Sequence, residues 1–251
     1  MKAVARLLLL VVLAGLSLQL YFAGRIALMA FVDPESTAFE RSAAYNVATT
    51  TGSLKWRQQW VPYSDMSDNL KRAVIASEDA SFTEHDGVDI EALEKAWDKN
   101  ARESARVEQK FQQSAQSASS TNAKPVRPAR IIGGSTITQQ LAKNLFLSGE
   151  RTLLRKGQEL ILTLLLEKLL SKERILEIYL NSVEWGEGVF GAEAAAQHYY
   201  RKSAAKLSAF EAARLAVMLP RPKYFETRPN SGYLSARASK ITARMVGVEL
   251  P

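Results

Sequence analysis

The sequence predicts a mainly α-helical protein that carries one membrane-spanning helix at its N-terminus. Two observations lead to this fold class. Apolar residues recur at intervals of three and four through much of the chain after residue 69, which is the period of an α-helix. A long apolar run also opens the sequence. A chain of 251 residues can bury one substantial core, so we expect one domain with appendages.

The amino-acid composition indicates which kinds of molecule the protein can bind. The chain has 47% hydrophobic and 24% charged residues, as globular proteins do, and a formal net charge of +7. A basic protein favours anionic partners, which at this point include nucleic acid, anionic lipid and phosphorylated substrates. Because the sequence contains no cysteine, disulfides and cysteine-based metal sites are excluded.

The N-terminal apolar run is predicted to be a retained membrane anchor. Lys2 and Arg6 precede it, and only Ser17 and Gln19 interrupt it before Arg25. The run is long enough to span a bilayer, and an arginine near its end can reach the interface. A cleaved signal peptide is the alternative, but no small-x-small cleavage site follows. The charge pattern places the N-terminus inside and the bulk of the chain outside.

Three segments follow from this organisation. Residues 1–32 are expected to form a cytoplasmic stub and the anchor, and residues 64–251 the main domain. Residues 33–63 are expected to connect the two, as a linking or jaw segment. The connecting segment includes an aromatic-rich stretch at residues 55–60 that favours a short strand. Residues 100–130 are polar and of low complexity, so we expect a mobile or marginally helical insert there.

Helices are predicted through the rest of the main domain. The first begins near Asn69 and carries Leu70, Val74 and Glu78 on one face. Asp89 has the position of an N-cap for the next helix. From residue 131 helical patterns recur almost without a break, including a helix capped by Ser171 and an alanine-rich helix that ends at Pro220.

Acidic residues crowd the stretch at residues 78–89, whose sequence is EDASFTEHDGVD. Acids at this density form either a solvated loop or a functional site. The sequence of this stretch alone does not decide between them.

A second candidate stretch, GGSTITQQLAKNL, occupies residues 133–145. Its glycines permit a tight turn, and Ser135 can cap the helix that follows. The polar face of that helix carries Thr136, Gln140, Lys143 and Asn144. A helix start beside a lysine suits a phosphate group, whereas the alternative is an ordinary amphipathic helix with a solvated polar face.

The third and fourth candidates carry further acids. The helix after residue 152 is apolar on nearly all sides, so we expect it to be buried, and Glu159 lies in it after Arg155 and Lys156. Glu159 is therefore either a structural ion pair or a site residue, and the direction of its pKa shift is open. The fourth candidate is the end of the helix that starts at residue 171, where Asn181 and Glu184 either line a groove or have a structural role in capping the helix.

Taken together, these stretches resemble the peptidoglycan glycosyltransferase family. The matching motifs are E-D-x-x-F-x-x-H-x-G-x-D, G-G-S-T-I-T-Q-Q-L-A-K-N-L, R-K-x-x-E and S-K-x-R-I-L-E-x-Y-L-N, in this order. The resemblance covers residues 64–222 and implies a lysozyme-like fold with a membrane-facing jaw. Because no transpeptidase domain follows in this sequence, it resembles the single-domain branch of the family.

The resemblance also implies roles for individual residues. Glu78 matches the general base. Glu159 matches the second glutamate of the family, whose expected role is to orient the cations, to help hold a divalent metal at the pyrophosphate or to position the sugar. The groups expected to bind the pyrophosphate are Lys143, Arg151, Arg155 and Lys156. Those expected to bind sugar or phosphate oxygens are Ser135, Thr136, Gln140 and Asn144. Structural support is expected from Asp79, Phe82, His85, Asn181 and Glu184.

The implied reaction is the polymerisation of lipid II into glycan strands, with a divalent metal ion, Mg or Mn, bound alongside the substrate pyrophosphate. Expected partners are lipid II, the growing lipid-linked chain, the membrane and cell-wall synthesis proteins, but no nucleic acid. The family resemblance also implies sensitivity to moenomycin-type phosphoglycolipids. The implied location is the bacterial inner membrane, with a cytoplasmic N-terminus and a periplasmic catalytic domain.

Two other functions are compatible with such a fold. A muramidase or lytic transglycosylase would cleave glycan, but cleavage of a neutral glycosidic bond needs no cation-rich pocket. An inactive scaffold for cell-wall assembly would not need both glutamates. One departure from the family is the spacing, because Gly133 follows His85 by 48 positions. We expect the excess to be a tolerated flexible insertion, with a gate, a lipid contact or a docking element as alternatives.

Overall fold

The computed structural model describes residues 2–52, 56–116, 134–147, 149–150 and 152–251. Within these ranges the chain forms eleven α-helices and three very short strands, which confirms the mainly α fold class. The helices are α1 (Lys2–Leu28), α2 (Ala38–Thr51), α3 (Asp68–Glu78), α4 (Ile90–Gln116), α5 (Ile137–Phe146), α6 (Leu153–Leu169), α7 (Lys172–Ser182), α8 (Ala192–Tyr200), α9 (Ala209–Met218), α10 (Pro222–Glu226) and α11 (Gly232–Arg244).

The chain divides into two compact units. The larger unit comprises residues 1–87 and 136–251, and the smaller unit comprises residues 88–135. Helix α4 belongs to the smaller unit, and every other described helix and strand belongs to the larger one. Glu78, Glu159 and the side chains that bond to their carboxylates, which are Ser77, Gln140, Arg155 and Lys156, lie in the larger unit.

Helix α1 is long and apolar enough to cross a membrane, as the sequence predicts. At 1.5 Å per residue its 27 residues span about 40 Å, which exceeds the roughly 30 Å hydrocarbon core of a bilayer. Most of its side chains are exposed in the isolated chain, whereas Ile26 is fully buried. This helix fits a single-pass membrane protein.

The core of the larger unit is built from two groups of packed helices. Helix α3 packs against α9 and α11, and helix α5 packs against α6 and α7. The apolar face predicted for α3 is confirmed, since Leu70 and Val74 are fully buried. Glu78 is the last residue of this helix, so the core fixes where its backbone lies.

Helix α6 is not buried on all sides, contrary to the expectation from its sequence. Its buried residues are Glu159, Leu162, Thr163 and Leu166. Its exposed apolar side chains are Leu153, Leu154, Leu160, Ile161, Leu164 and Leu169. A helix that is apolar on all sides is stable only where it is shielded from water, and lipid can shield it as well as a protein core can. Helix α1 packs against α6, so the exposed apolar side chains belong to a helix that contacts the membrane anchor.

The strands form one small sheet in the order β1 (Arg57–Gln58), β3 (Val189–Phe190), β2 (Glu184–Gly186). Strand β1 pairs with β3 in parallel, and β2 pairs with β3 in antiparallel fashion. This confirms the short strand predicted within residues 55–60, of which residue 55 lies outside the described part of the chain.

The polar insert is helical over its first half. Asp89 caps α4 as predicted, because its Oδ1 accepts a hydrogen bond from the Ala92 backbone N–H at 2.7 Å. Helix α4 then continues to Gln116, so residues 100–116 are helical. Residues 117–130 of the insert lie outside the described residues.

Candidate active site

Glu78 lies at the end of α3 with its carboxylate held by two hydrogen bonds. Gln140 Nε2 donates to Glu78 Oε2 at 3.1 Å, and Ser77 Oγ donates to Oε1 at 3.4 Å. Gln140 comes from the first turns of α5, so two predicted site residues from distant parts of the sequence meet here. The carboxylate is partly buried, as expected for a group at the edge of the core.

A buried tyrosine that the sequence did not single out orients Gln140. The Tyr179 hydroxyl donates to Gln140 Oε1 at 3.0 Å, which leaves the amide nitrogen to face Glu78. Burial raises the pKa of Tyr179 well above its usual value, with further increases from Glu78 and Asp79, so the phenol stays protonated and remains a donor. In the sequence, Tyr179 is one of several apolar positions of α7, and nothing marks it as polar support.

Burial also raises the pKa of Glu78 above its ordinary value. Desolvation is the main cause, and the negative charge of Asp79 adds to it. The hydrogen bonds from Gln140 and Ser77 and the positive charge of Arg237 act in the opposite direction. A carboxylate with a raised pKa is a better proton acceptor than an exposed one, which suits a general base.

Asp79 connects the acidic stretch to the start of α5. Its Oδ1 lies 2.8 Å from Nε2 of His85, and its Oδ2 accepts a hydrogen bond from the Ile137 backbone N–H at 2.9 Å. Phe82 is fully buried beneath the ammonium of Lys172, which lies 4.6 Å from the ring centre. These contacts place Asp79, Phe82 and His85 as braces that hold Glu78 and α5 in register.

Thr136 caps α5, so the expectation that Ser135 would do so is wrong by one residue. The Thr136 hydroxyl accepts from the Gln139 N–H at 3.2 Å and donates to the Gly87 carbonyl at 2.6 Å. Thr136 is only 2% exposed, so its hydroxyl serves the fold rather than a ligand. Ser135 is exposed and belongs to the smaller unit.

Gly87 explains the turn in the acidic stretch. Its φ is +85°, and a Cβ at this position would lie 2.7 Å from Cγ2 of Thr163. Both the left-handed backbone and the close approach to α6 therefore require glycine here. The turn brings the Gly87 carbonyl to Thr136, which positions the first turn of α5.

The predicted cations gather around Glu159. Arg155 donates to Glu159 Oε2 at 2.9 Å, and Lys156 donates to Oε1. Desolvation lowers the pKa of Lys143, and the charges of Arg155 and Lys156 lower it further, whereas Glu159 raises it. Lys143, Arg155, Lys156 and Glu159 thus interact electrostatically as one group, which we call the cation cluster.

The cation cluster has unused capacity for an anion. The cluster combines three basic side chains with one carboxylate, so positive groups outnumber negative ones. Arg155 Nε is buried and has no hydrogen-bond partner among the described residues. A buried donor without an acceptor is costly, so it marks where an anionic oxygen from a ligand fits.

Helix α5 links the two halves of the site. Gln140 bonds Glu78, and Lys143, which interacts with the cation cluster, follows one turn later, about 4.5 Å along the helix axis. Asn144 is on the buried side of α5, with 8% of its surface exposed. Arg151, the remaining predicted cation, lies outside the described residues.

The two remaining predicted support residues lie apart from these groups. Asn181 is fully buried, and its side chain donates to the Val61 carbonyl at 2.9 Å and accepts from the Val61 N–H at 3.0 Å. It therefore ties α7 to the segment after β1. Glu184 pairs with Lys223 at 3.2 Å, and desolvation raises its pKa against the effect of that lysine.

The protein groups present a limited choice of metal ligands. Both carboxylate oxygens of Glu159 are engaged by Arg155 and Lys156. Asp79 and His85 offer oxygen and nitrogen atoms of the kind that bind metals, but they bond to each other and Asp79 also holds α5. Glu159 does not fit as a metal ligand, because neither of its oxygens is left for a metal once Arg155 and Lys156 are bound.

Comparison with known proteins yields consistent relatives. The family model described as Transglycosylase matches residues 45–110 and 111–246. A biosynthetic peptidoglycan transglycosylase of Burkholderia thailandensis is 52% identical over 238 residues, covering 95% of this chain and 84% of the relative. The protein of the same description from Bordetella pertussis is 49% identical over 233 residues, covering 93% of this chain and 88% of the relative.

Proposed function

The chain belongs to the transglycosylase family, and on that premise we propose that it polymerises lipid II into the glycan strands of peptidoglycan. It is a peptidoglycan glycosyltransferase, as its relatives are described. The observation that carries the finer proposal is the pairing of a desolvated carboxylate with a cluster of cations through one helix, α5.

In the proposed reaction the growing lipid-linked chain is the donor and lipid II is the acceptor. The 4-hydroxyl of the acceptor N-acetylglucosamine attacks C1 of the donor sugar. A β-1,4 bond forms, the α-linked bond to pyrophosphate breaks with its electron pair, and undecaprenyl pyrophosphate leaves. The configuration at C1 is inverted because the displacement occurs once and in line.

Glu78 is the group we assign to accept the proton of the attacking hydroxyl. A neutral hydroxyl is a weak nucleophile, and a general base contributes about 10²- to 10⁴-fold to such a step. The raised pKa of Glu78 and its fixed position under Gln140 support this assignment. Tyr179 is then a positioning residue that acts through Gln140.

The cation cluster is the group we assign to the leaving pyrophosphate. Negative charge develops on the pyrophosphate as the bond to C1 breaks, and fixed cations stabilise that charge in the transition state. The unpartnered Nε of Arg155 and the excess of basic over acidic groups support this role. Because the leaving group is already stabilised, no strong general acid is required, which separates this reaction from glycan cleavage.

Glu159 is assigned to orient the cations. Its two oxygens hold Arg155 and Lys156, so its carboxylate fixes the geometry that the pyrophosphate meets. A divalent ion would supply further neutralisation of the pyrophosphate charge, and Glu159 would not hold it because both of its oxygens are engaged by cations. This choice among the roles open from the sequence rests on the ion pairs of Glu159.

The proposed location is the inner membrane, with α1 crossing once and the catalytic domain on the periplasmic side. The exposed apolar side chains of α6, a helix that contacts α1, support a membrane-facing jaw. Since the chain has no cysteine, single cysteines can report its orientation. Ser239→Cys should react with an impermeant maleimide in spheroplasts and Ala3→Cys only after permeabilisation, and the reverse pattern would contradict this orientation.

The substrate is tested with the full chain in detergent, labelled lipid II and a divalent metal. We expect a polymer that lysozyme digests, together with one undecaprenyl pyrophosphate for each bond formed. Absence of polymer would overturn the proposed substrate. Shortening of added glycan without polymer would favour a cleaving enzyme.

A further inference from the structure

A cavity of about 370 Å³ opens where the membrane-spanning helix ends. It lies between the last turn of α1 and the first turn of α2, apart from Glu78 and the cation cluster. Its volume is within the range of roughly 300–1,000 Å³ found for small-molecule sites. None of its lining residues takes part in the proposed reaction.

The cavity lies at the height of the membrane interface. Arg25 follows Leu7, the start of the apolar run, by 18 positions, which corresponds to about 27 Å along the helix. The hydrocarbon core is about 30 Å thick, so Arg25 lies close to the level of the lipid headgroups. Leu28 and Val32, also in the lining, are 58% and 52% exposed and offer apolar surface at the same level.

The positive side of the cavity consists of two arginines. Arg41 Nη1 donates to the carbonyl oxygen and the hydroxyl oxygen of Ser36, at 3.1 Å and 3.0 Å, which fixes its guanidinium in the wall of the cavity. Arg25 contacts the Tyr21 hydroxyl at 3.4 Å and the Phe146 ring. Within the described ranges neither guanidinium forms an ion pair within 4.0 Å of a carboxylate, although the charge of Arg41 acts on the nearby buried Glu40. Both guanidiniums can therefore bond a phosphate.

Two carboxylates line the cavity, Asp33 and Glu35, and one of them can bind a cationic group of a ligand. Asp33 is already paired with Arg174 at 2.7 Å. Glu35 has neither an ion-pair nor a hydrogen-bond partner within the described ranges. A simple anion would be attracted by the arginines but repelled by Glu35, whereas a ligand that carries both charges satisfies all three groups.

We propose that this cavity binds the headgroup of a zwitterionic phospholipid, in which a phosphodiester is joined to a primary ammonium. The phosphodiester is bound by Arg25 and Arg41, the ammonium by Glu35, and the acyl chains follow Leu28 and Val32 along α1. The inference rests on the membrane anchoring described above and is independent of the transfer reaction. It assigns the end of the anchor a specific lipid contact rather than a purely mechanical role.

The test measures lipid retention by native mass spectrometry of the full chain in a mild detergent. The protein is incubated with phosphatidylethanolamine or phosphatidylglycerol that carry identical acyl chains. We expect wild type to retain phosphatidylethanolamine in preference. Equal retention of the two lipids, or preference for phosphatidylglycerol, would overturn the proposal.

Two variants separate the two ends of the headgroup. Arg41→Ala should lower retention of both lipids about tenfold, since each loses a charge-assisted bond to its phosphate. Glu35→Gln should lower retention of phosphatidylethanolamine alone and abolish the preference. Arg244→Ala, which changes an exposed arginine on α11, is the matched control and should leave retention unchanged.

The result remains interpretable if a variant is unstable. Glu35 is exposed and makes no contact that the fold needs, so Glu35→Gln stays folded even if Arg41→Ala does not. An unchanged preference in Glu35→Gln would overturn the assignment. Failure of the lipid II polymerisation assay is a separate outcome, because lipid retention does not require turnover.

Discussion

Gln140 donates a hydrogen bond from Nε2 to Oε2 of Glu78 across 3.1 Å, and this contact joins residues 62 positions apart in the sequence. Tyr179 fixes the amide from the other side, so the contact is directional. One turn further along α5, Lys143 interacts with the cation cluster. The orientation of one helix therefore sets both the proposed base and the proposed anion site.

Removal of the Gln140 amide should move the acidic limb of the pH–rate profile. The hydrogen bond from Gln140 lowers the pKa of Glu78 against desolvation, so Gln140→Ala raises that pKa further. More of the base is then protonated at low pH, and the acidic limb of kcat/KM shifts to higher pH. Asp79, Ser77 and Arg237 remain in place in both proteins.

The measurement is kcat/KM for lipid II from pH 5 to pH 9, with Gln197→Ala as the control. Gln197 is an exposed glutamine on α8 and should leave the profile unchanged. A shift of the acidic limb to lower pH in Gln140→Ala would contradict the assigned direction.

Loss of Lys143 should weaken binding of pyrophosphate-bearing ligands. Lys143→Ala removes one of three cations from the cluster, and we expect an increase in KM for lipid II of about tenfold or more. Affinity for moenomycin-type phosphoglycolipids, measured by fluorescence anisotropy, should fall in parallel. Lys206→Ala, at an exposed lysine distant in sequence, serves as the control, and unchanged inhibitor affinity in Lys143→Ala would count against the cluster.

Substitution of Glu159 distinguishes orientation of cations from metal binding. Glu159→Gln releases Arg155 and Lys156, so we expect kcat to fall by at least tenfold with no change in the metal concentration needed for half-maximal activity. Because Glu159 raises the pKa of Lys143, the alkaline limb of the profile should move to lower pH. A large increase in the metal requirement would instead identify Glu159 as a ligand.

The anchor is joined to α6 by a reciprocal pair of amides. Gln19 Nε2 donates to Gln158 Oε1 at 2.8 Å, and Gln158 Nε2 donates to Gln19 Oε1 at 3.1 Å. Gln19→Leu leaves the partner amide unsatisfied in an apolar setting, at a cost of about 1 kcal/mol. Thermal unfolding in detergent should show this loss, with Ser17→Leu as control.

The double variant Gln19→Leu with Gln158→Leu provides the internal check on this pair. Its destabilisation should be smaller than the sum of the two single changes, because neither amide is then left alone. Strict additivity would show that the two side chains do not interact.

The sequence predicted helices and caps well because these depend on local chemistry. Asp89 and Ser171 cap the helices that their positions indicated, since an N-cap needs only a short polar side chain before a helical run. The sequence did not show which of two neighbouring hydroxyl residues caps α5, and the one that does so contacts a distant part of the chain. Thr136 rather than Ser135 caps α5, and the Thr136 hydroxyl is held in place by the hydrogen bond that it donates to the Gly87 carbonyl, 49 positions earlier.

The burial of α6 shows a different limit. An apolar sequence shows that a helix avoids water, but it does not show whether protein or lipid surrounds the helix. An apolar helix beside a membrane anchor therefore has the same sequence pattern as a helix in a protein core. Likewise, Tyr179 has the spacing of a core residue, and only the fold reveals that its hydroxyl reaches Gln140. Roles that depend on contacts between distant segments therefore required the structure.

The central claim is that Glu78 accepts the proton of the attacking hydroxyl, and Glu78→Gln tests it most directly. The pKa of Glu78 is raised in the fold, so its ionised form destabilises the protein as pH rises above the unfolded value. The neutral glutamine should therefore leave the thermal midpoint at pH 8 equal to or above that of wild type.

The deciding measurement is single-turnover polymerisation of labelled lipid II by wild type, Glu78→Gln and the exposed control Glu84→Gln. We expect Glu78→Gln to bind lipid II with wild-type affinity and to turn over about 10² to 10⁴ times more slowly, while Glu84→Gln matches wild type. Polymerisation by folded Glu78→Gln at the wild-type rate would contradict the account.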